Sequence, residues 1–407
     1  MTGSLPLAVA HPPWPHGLLD VPALRAAGMT PTAFRQVVLK VHSRCNLACD
    51  YCYVYELADQ GWRRQPPVMS PAIVELSIAR IAEHVCAHEL SSIAVVLHGG
   101  EPLLAGAAFI DDLAQRMRRA LPAHARAHFT VQTNGTQLDR AMLDVLARNE
   151  IRVGVSIDGD QAANDRHRFL RNGTGSYDSV MRAIDLLRSP PYREVYGGLL
   201  CTVSLENDPV ATFEALAGLE PPVIDLLLPH GTWSTPPPSR PPDESAPYAD
   251  WLLRVFEHWA AAARPRPSVR LFEAIMALVL GEATVAETVG LAPAAMIVID
   301  TDGTIKQVDA LYTAYDGAAD TGLHIAEHPL AAALDHPTTV ARQIGRLALS
   351  PACEACRVRD VCGGGYYPHR YRAGEGFKNP SVFCSDLLTL ITVIREYVAA
   401  EVGRLLR

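Results

Sequence analysis

The chain has 407 residues, 49% of them hydrophobic and 20% charged, ordinary values for a folded protein with a sizeable core. Its formal charge of −8 argues against a general nucleic-acid binder, which carries a basic surplus. No segment approaches the ~20 uninterrupted apolar residues of a membrane helix, and Met1–Pro6 lacks the basic start and apolar run of a secretory signal.

Residues 1–34 are Pro-rich (His11-Pro12-Pro13-Trp14-Pro15) and are expected to form an irregular N-terminal arm. Short Val/Ile/Leu-rich runs then predict strands at Gln36–Val41, Ile93–His98, His128–Gln132, Ile151–Ile157, Gly197–Ser204 and Val223–Leu228. Helical stretches lie between them, near Pro71–Ala87, Ala105–Ala120, Leu138–Asn149, Tyr177–Arg188 and Val210–Gly218. Such βα repeats need crossover connections, so residues 35–231 are predicted to form an α/β domain, a partial (β/α)6 TIM-like barrel with helices outside. Chemistry in such barrels sits at the C-terminal strand ends.

A Pro-stiffened loop, Thr232–Asp243, and two bridging helices, Glu244–Arg264 and Val269–Gly281, are expected within residues 232–292. Residues 293–407 form a second, cysteine-bearing domain that closes on an amphipathic helix, Ser385–Arg407.

Seven of the nine cysteines fall in two clusters, and in a reducing cytoplasm clustered thiols are metal ligands rather than disulfides. Cys45-x3-Cys49-x2-Cys52 follows strand one and supplies three thiolates, one short of a closed site. An iron left open must bind something else. Gly99-Gly100-Glu101-Pro102 follows strand two, Thr133-Asn134-Gly135 strand three, and Ser156 and Asp158 stand at the end of strand four, all on one rim. Cys353-x2-Cys356-x5-Cys362 with Cys384 offers four thiolates, enough for either zinc or an iron–sulfur cluster. Cys86 and Cys201 read as buried apolar residues. His230, just past strand six, and Asp158 are candidate catalytic groups, with Asp300, Asp302 and Asp309 as further acidic candidates. Lysine occurs only at Lys40, Lys306 and Lys378, a usage bias with no evident mechanism.

Cys-x3-Cys-x-aromatic-Cys resembles the signature of radical S-adenosylmethionine (SAM) enzymes. That resemblance implies a [4Fe–4S] cluster on Cys45, Cys49 and Cys52, with SAM chelating the open iron. Gly99, Gly100, Glu101 and Pro102 would hold the SAM amino group, Asn134, Ser156 and Asp158 the ribose or carboxylate neighbourhood, and Tyr51 the adenine. The second cluster of cysteines resembles the SPASM extension of peptide-modifying relatives, which usually carries two auxiliary clusters. Here Tyr366 replaces one expected cysteine and Val308 another, so a single auxiliary [4Fe–4S] cluster on Cys353, Cys356, Cys362 and Cys384 is expected.

Leu39-Lys40-Val41-His42-Ser43-Arg44-Cys45, Tyr53-Val54-Tyr55, His98-Gly99-Gly100-Glu101-Pro102-Leu103, Ala163-Asn164-Asp165-Arg166-His167-Arg168 and Pro229-His230-Gly231-Thr232-Trp233 resemble the FxsB-type radical SAM/SPASM maturases. The resemblance implies an oxidoreductase that joins an aromatic ring carbon to the β-carbon of a nearby residue, a cyclophane, in a ribosomally made precursor peptide. Its partners would be that peptide with its leader and an electron donor such as a flavodoxin or ferredoxin. No separate leader-recognition domain is evident before the barrel. Two other readings are a formylglycine-generating, sulfatase-maturase-like oxidase and a zinc-stabilised peptide-binding module without activity.

Overall fold

In the computed structural model, which describes residues 13–241, 243, 245–263 and 265–406, strand β1 (Gln36–His42) holds the middle of the sheet. Val37, Leu39 and Val41 are fully buried, and Val38 and Lys40 are 7% and 4% exposed, so β1 is buried on both faces, as expected for a strand covered on both sides. It pairs in parallel with β2 (Ser92–Gly99) on one side. Beyond β2 run β3 (Arg126–Thr133), β4 (Arg152–Ser156), β5 (Tyr196–Thr202), β6 (Val223–Leu227) and the two-residue β7 (Ser268–Val269), all parallel.

The other edge of β1 is also occupied. Strand β8 (Met296–Ile299) pairs with it in parallel, and β9 (Thr304–Lys306) and β10 (Asp320–His324) continue as an antiparallel meander. The ten strands are one sheet, in the order β10-β9-β8-β1-β2-β3-β4-β5-β6-β7. The cysteine-bearing C-terminal half is therefore built onto the barrel strands by backbone hydrogen bonds.

Helices follow the strands as expected, with ends set by caps. Helix α1 (Val21–Ala26) lies inside the stretch expected to be irregular and is capped by Asp20, whose carboxylate accepts from Ala23 N–H. That part of the arm is a correction, and residues 1–12 of the expected arm lie outside the described residues. Helix α2 (Pro71–Ala87) starts at Ser70, which caps it, with Pro71 in the first turn. Helix α3 (Ala107–Ala120) begins two residues later than predicted because Gly106 turns the chain at φ +90°. Asp139 caps α4 (Arg140–Arg148), and a helix unforeseen in the sequence, α5 (Gln161–His167), is capped by Asp160. Then come α6 (Tyr177–Arg188), α7 (Pro209–Ala217), α8 (Pro247–Ala261) and α9 (Arg270–Val279).

Three short helices, α10 (Pro337–Ala341), α11 (Pro351–Glu354) and α12 (Arg359–Cys362), precede the long α13 (Cys384–Leu405). Buried Asp386 in the first turn of α13 accepts from Tyr248 and Ala249 N–H at 2.9 and 3.1 Å and pairs with Arg240 at 3.0 Å. The start of α13, and Cys384 with it, is thereby tied to the start of α8. No helix among the described residues is long and apolar enough to cross a membrane.

Candidate active site

A cavity of about 750 Å³ opens at the C-terminal strand ends. The loop after β1 brings Cys45, Cys49 and Cys52 to one side of it. That loop is clamped by the loop after β2. Gly100 N–H donates to the His42 carbonyl at 2.8 Å and Glu101 N–H to the Arg44 carbonyl at 2.9 Å. A β-carbon on Gly99 would strike the His42 carbonyl, and one on Gly100 would strike the Tyr55 hydroxyl and the Arg44 carbonyl. These glycines are thus required by loop-on-loop packing, whatever they do for a ligand.

Glu101 is fully buried behind the cavity wall. Its carboxylate accepts from Leu103 N–H at 3.0 Å, the Thr133 hydroxyl at 2.7 Å and Asn134 N–H at 2.7 Å. Burial raises its pKa against those three bonds. Gly99, Gly100, Asn134, Ser156, Asp158 and Tyr51 line the cavity; Glu101 and Pro102 do not. Glu101 instead staples the β2 loop to the β3 loop.

The three thiols suit a cluster. Burial pushes Cys45, Cys49 and Cys52 each up to about 11, so as free thiols they would be neutral. Donors nevertheless aim at the sulfurs: Leu47 N–H at 3.4 Å and the Asn134 side-chain amide at 3.5 Å from Cys45 Sγ. Such an arrangement fits thiolates whose charge is balanced by metal. Among the described residues no three His, Cys, Asp or Glu side chains close on one common ion, whereas a cubane takes one thiolate per iron.

Beside the thiols lies a buried polar knot. The Tyr51 hydroxyl donates to Asp158 Oδ2 at 2.5 Å, Arg168 Nη1 donates to the Tyr51 oxygen at 2.8 Å, and Thr202 N–H donates to Asp158 Oδ1 at 2.9 Å. Burial raises the Asp158 carboxyl, with Arg168 opposing. Arg168 Nε is buried without a hydrogen-bond partner in a cavity-lining side chain. An orphaned charged donor there fits an anionic group on a ligand. Ser156 accepts from the Gln132 amide at 2.9 Å, and both residues face the cavity. Arg168 and Gln132 were not singled out in the sequence. The signal for Arg168 was a basic residue closing a helix directly after the Asp158-Gly159 turn.

On the far wall, the sole carboxylate of the three acidic candidates to reach the cavity is Asp309. Asp300 pairs with Lys306 at 3.3 Å, and Asp302 accepts from Thr304 N–H at 2.9 Å within the turn between β8 and β9. Asp309 Oδ2 accepts from the Tyr53 hydroxyl at 3.3 Å and lies 3.7 Å from His98 Nδ1 and 3.8 Å from Lys40 Nζ. Burial alone would raise its pKa, but Lys40, His98, His230 and Tyr53 outweigh it and hold it below the ordinary value. His230 packs on Tyr53 with ring centres 4.6 Å apart. Burial brings its pKa down to about 4, so the ring is neutral, and its Nδ1 has no partner. Tyr366, at the position expected to be cysteine in the fuller pattern, completes this aromatic wall.

The second set of thiols is brought together away from the cavity. Cys353 sits in α11, Cys356 just after it, Cys362 ends α12 and Cys384 opens α13. Cys384 and Cys353 lie near enough to help raise the Cys362 thiol, and Cys353 and Cys356 near enough to help raise Cys384. Burial pushes Cys362 up to about 12, with the Arg370 guanidinium opposing. Arg370 is held there by the carbonyls of Gly363 and Gly365, each at 2.6 Å. A β-carbon on Gly363 (φ +60°) would strike the Gly290 carbonyl. Cys201 is buried as expected, but Cys86 is exposed, because the buried face of α2 is formed by Val74, Ile78, Ile81 and Val85.

Residues 39–201 match the family model of the Radical SAM superfamily. The serine-type anaerobic sulfatase-maturating enzyme of Klebsiella aerogenes is 26% identical over 375 residues, 88% of this chain and 87% of that protein. The cysteine-type enzyme of Clostridium perfringens (strain 13 / Type A) is 28% identical over 162 residues, so the match spans 40% of this chain and 42% of that relative's length. Among solved structures, native anSMEcpe with bound AdoMet and the Cp18Cys peptide superposes with a TM-score of 0.78 at 18% identity, covering 91% of this chain and 99% of that one. Streptococcus suis SuiB bound to precursor peptide SuiA gives 0.55 at 15% identity, covering 88% and 77%. At these identities the superpositions establish a shared fold.

Proposed function

We propose, from the premise that residues 39–201 belong to the radical SAM superfamily, that this chain is a radical SAM maturase that installs a carbon–carbon crosslink in a ribosomally synthesised peptide. The bond joins an aromatic ring carbon to the β-carbon of a nearby residue. The observation that carries the reading is the far wall, where Tyr366 stands in place of an expected thiolate ligand and Asp309 faces an aromatic wall.

When bound, the cluster and SAM supply a primary carbon radical able to take hydrogen from an unactivated C–H bond. The chain's own residues do the rest. Cys45, Cys49 and Cys52 would hold the cluster, leaving one iron for SAM. The unpartnered Arg168 Nε would meet an anionic group such as the SAM carboxylate, and the knot with Tyr51 and Asp158 holds the guanidinium in place for it. Asn134, held by Asn46 and Thr136, sets the cysteine loop against the β3 loop. Asp309 takes up the proton released when the substrate ring regains aromaticity, and neutral His230 and Tyr53 pack the substrate side chain while excluding water. Cys353, Cys356, Cys362 and Cys384 would hold an auxiliary cluster that accepts the accompanying electron.

Replacing Cys353 by alanine should leave SAM cleavage intact while little crosslinked product forms, read as 5′-deoxyadenosine against product peptide. Full product would remove the electron-acceptor role.

A second reading, oxidation of Cys or Ser to formylglycine, is favoured by the sulfatase-maturating relative that aligns along 88% of the chain. Anaerobic incubation with peptides encoded beside the gene separates the two by mass spectrometry. The crosslink removes two hydrogens and leaves a ring that resists fragmentation; formylglycine gives an aldehyde that reacts with a hydrazide probe.

A further inference from the structure

Only three of the 36 Lys and Arg residues are lysine, and two of those three are buried around one tyrosine. Lys40 is 4% exposed and Lys306 6%. Their ammonium groups lie 4.7 and 5.5 Å from the centre of the Tyr312 ring. Lys40 Nζ also donates to the Tyr312 hydroxyl at 3.2 Å. Lys306 faces outward from that ring, toward Asp300 at 3.3 Å and the half-exposed Asp320 at 3.2 Å. Lys40 faces inward, to Asp309 at 3.8 Å.

The groups facing Asp309 come from several elements: Lys40 from β1, His98 from β2, Tyr53 from the cysteine loop, His230 from the loop after β6, Tyr312 from its own turn and Tyr366 from beyond α12. Burial lowers both His98 and His230, leaving their rings neutral near pH 7. Lys40 is then the one permanent cation among these neighbours.

We propose that Lys40 is a positioning residue for Asp309: its ammonium, oriented by Tyr312, is the fixed charge that keeps the wall carboxylate ionised and ready to accept the substrate proton. The inference rests on Asp309 being the proton acceptor of the reaction proposed above. The transfer is simple in balance: one proton moves from the substrate ring to Asp309, and Lys40 keeps its own protons throughout.

The test follows the carboxyl stretch of Asp309 by infrared difference spectroscopy during a pH titration of the anaerobically reconstituted protein, with Asp309→Asn identifying the band. In Lys40→Met the protonated band should appear about 1–3 pH units higher than in the wild type, and Lys40→Arg, which retains the charge, should return most of the shift. An unchanged midpoint in Lys40→Met overturns the proposal. Should that variant not fold, Tyr312→Phe frees the ammonium from its hydroxyl partner and should move the midpoint in the same direction by less; no movement there is equally fatal. Full product from Asp309→Asn with peptides encoded beside the gene would overturn the acceptor role even if the band shifts. The maturase reading would survive either result, since it is scored separately by product mass.

Discussion

Cys49→Ala is expected to lower the iron content of anaerobically reconstituted protein from about eight atoms per chain to about four, and to abolish SAM cleavage. The three thiols of the first site lie on one short loop whose path is fixed by Gly99, Gly100 and Asn134, and no fourth cysteine lines the cavity to substitute. A cubane missing one of three protein thiolates has two irons open and is lost on handling. The second set of thiols is assembled by α11, α12 and α13 and should retain its metal. Iron analysis and 5′-deoxyadenosine formation are the readouts, with Cys86→Ala, an exposed thiol on α2, as the unaffected control. Eight irons and undiminished cleavage in Cys49→Ala would end the reading of the first site.

Asp158→Ala should destabilise the fold by about 1–3 kcal/mol, the cost of leaving hydrogen-bond donors in the site without their acceptor. Arg168 is 7% exposed and Asp158 2% exposed, and Tyr51 joins them. Truncating Asp158 removes the acceptor of the Tyr51 hydroxyl and of Thr202 N–H and takes a carboxylate from the neighbourhood of the guanidinium. Asp158→Asn keeps an oxygen at hydrogen-bond distance and should cost less, although it lacks the charge. Denaturant midpoints of the two variants give the order directly; equal midpoints would mean that Arg168 finds its counter-charge elsewhere.

Much of the barrel was legible in the sequence because buried parallel strands are written as largely apolar runs, and Val37–Leu39 is such a run. The ends shifted by a residue or two where Gly106 or Asp139 sets a boundary that apolar periodicity does not encode. The cysteines were legible because their side chains have few structural uses in clusters. What escaped was everything held by long-range pairing. Lys40 and Asp309 are 269 positions apart in the sequence yet lie 3.8 Å apart, and neither residue type announces a partner. Arg168 hid among many arginines. Glu101 shows the converse: a carboxylate after two glycines reads as a ligand-binding group, but its oxygens accept one bond from Leu103 in its own loop and two from Thr133 and Asn134, a use that needs the end of β3 in view. Cys86 was misplaced because a thiol on an amphipathic helix is apolar enough to suit either face.

The pairing of β8 with β1 has a consequence for engineering. Gln36–Leu39 are hydrogen-bonded along their length to Met296–Ile299, so excising the C-terminal third would strip a central strand of half its ladder and create a long, flat, hydrophobic border open to self-association. The cysteine-bearing appendage is no detachable cassette: grafting another in its place would require a donor strand matched in register to β1.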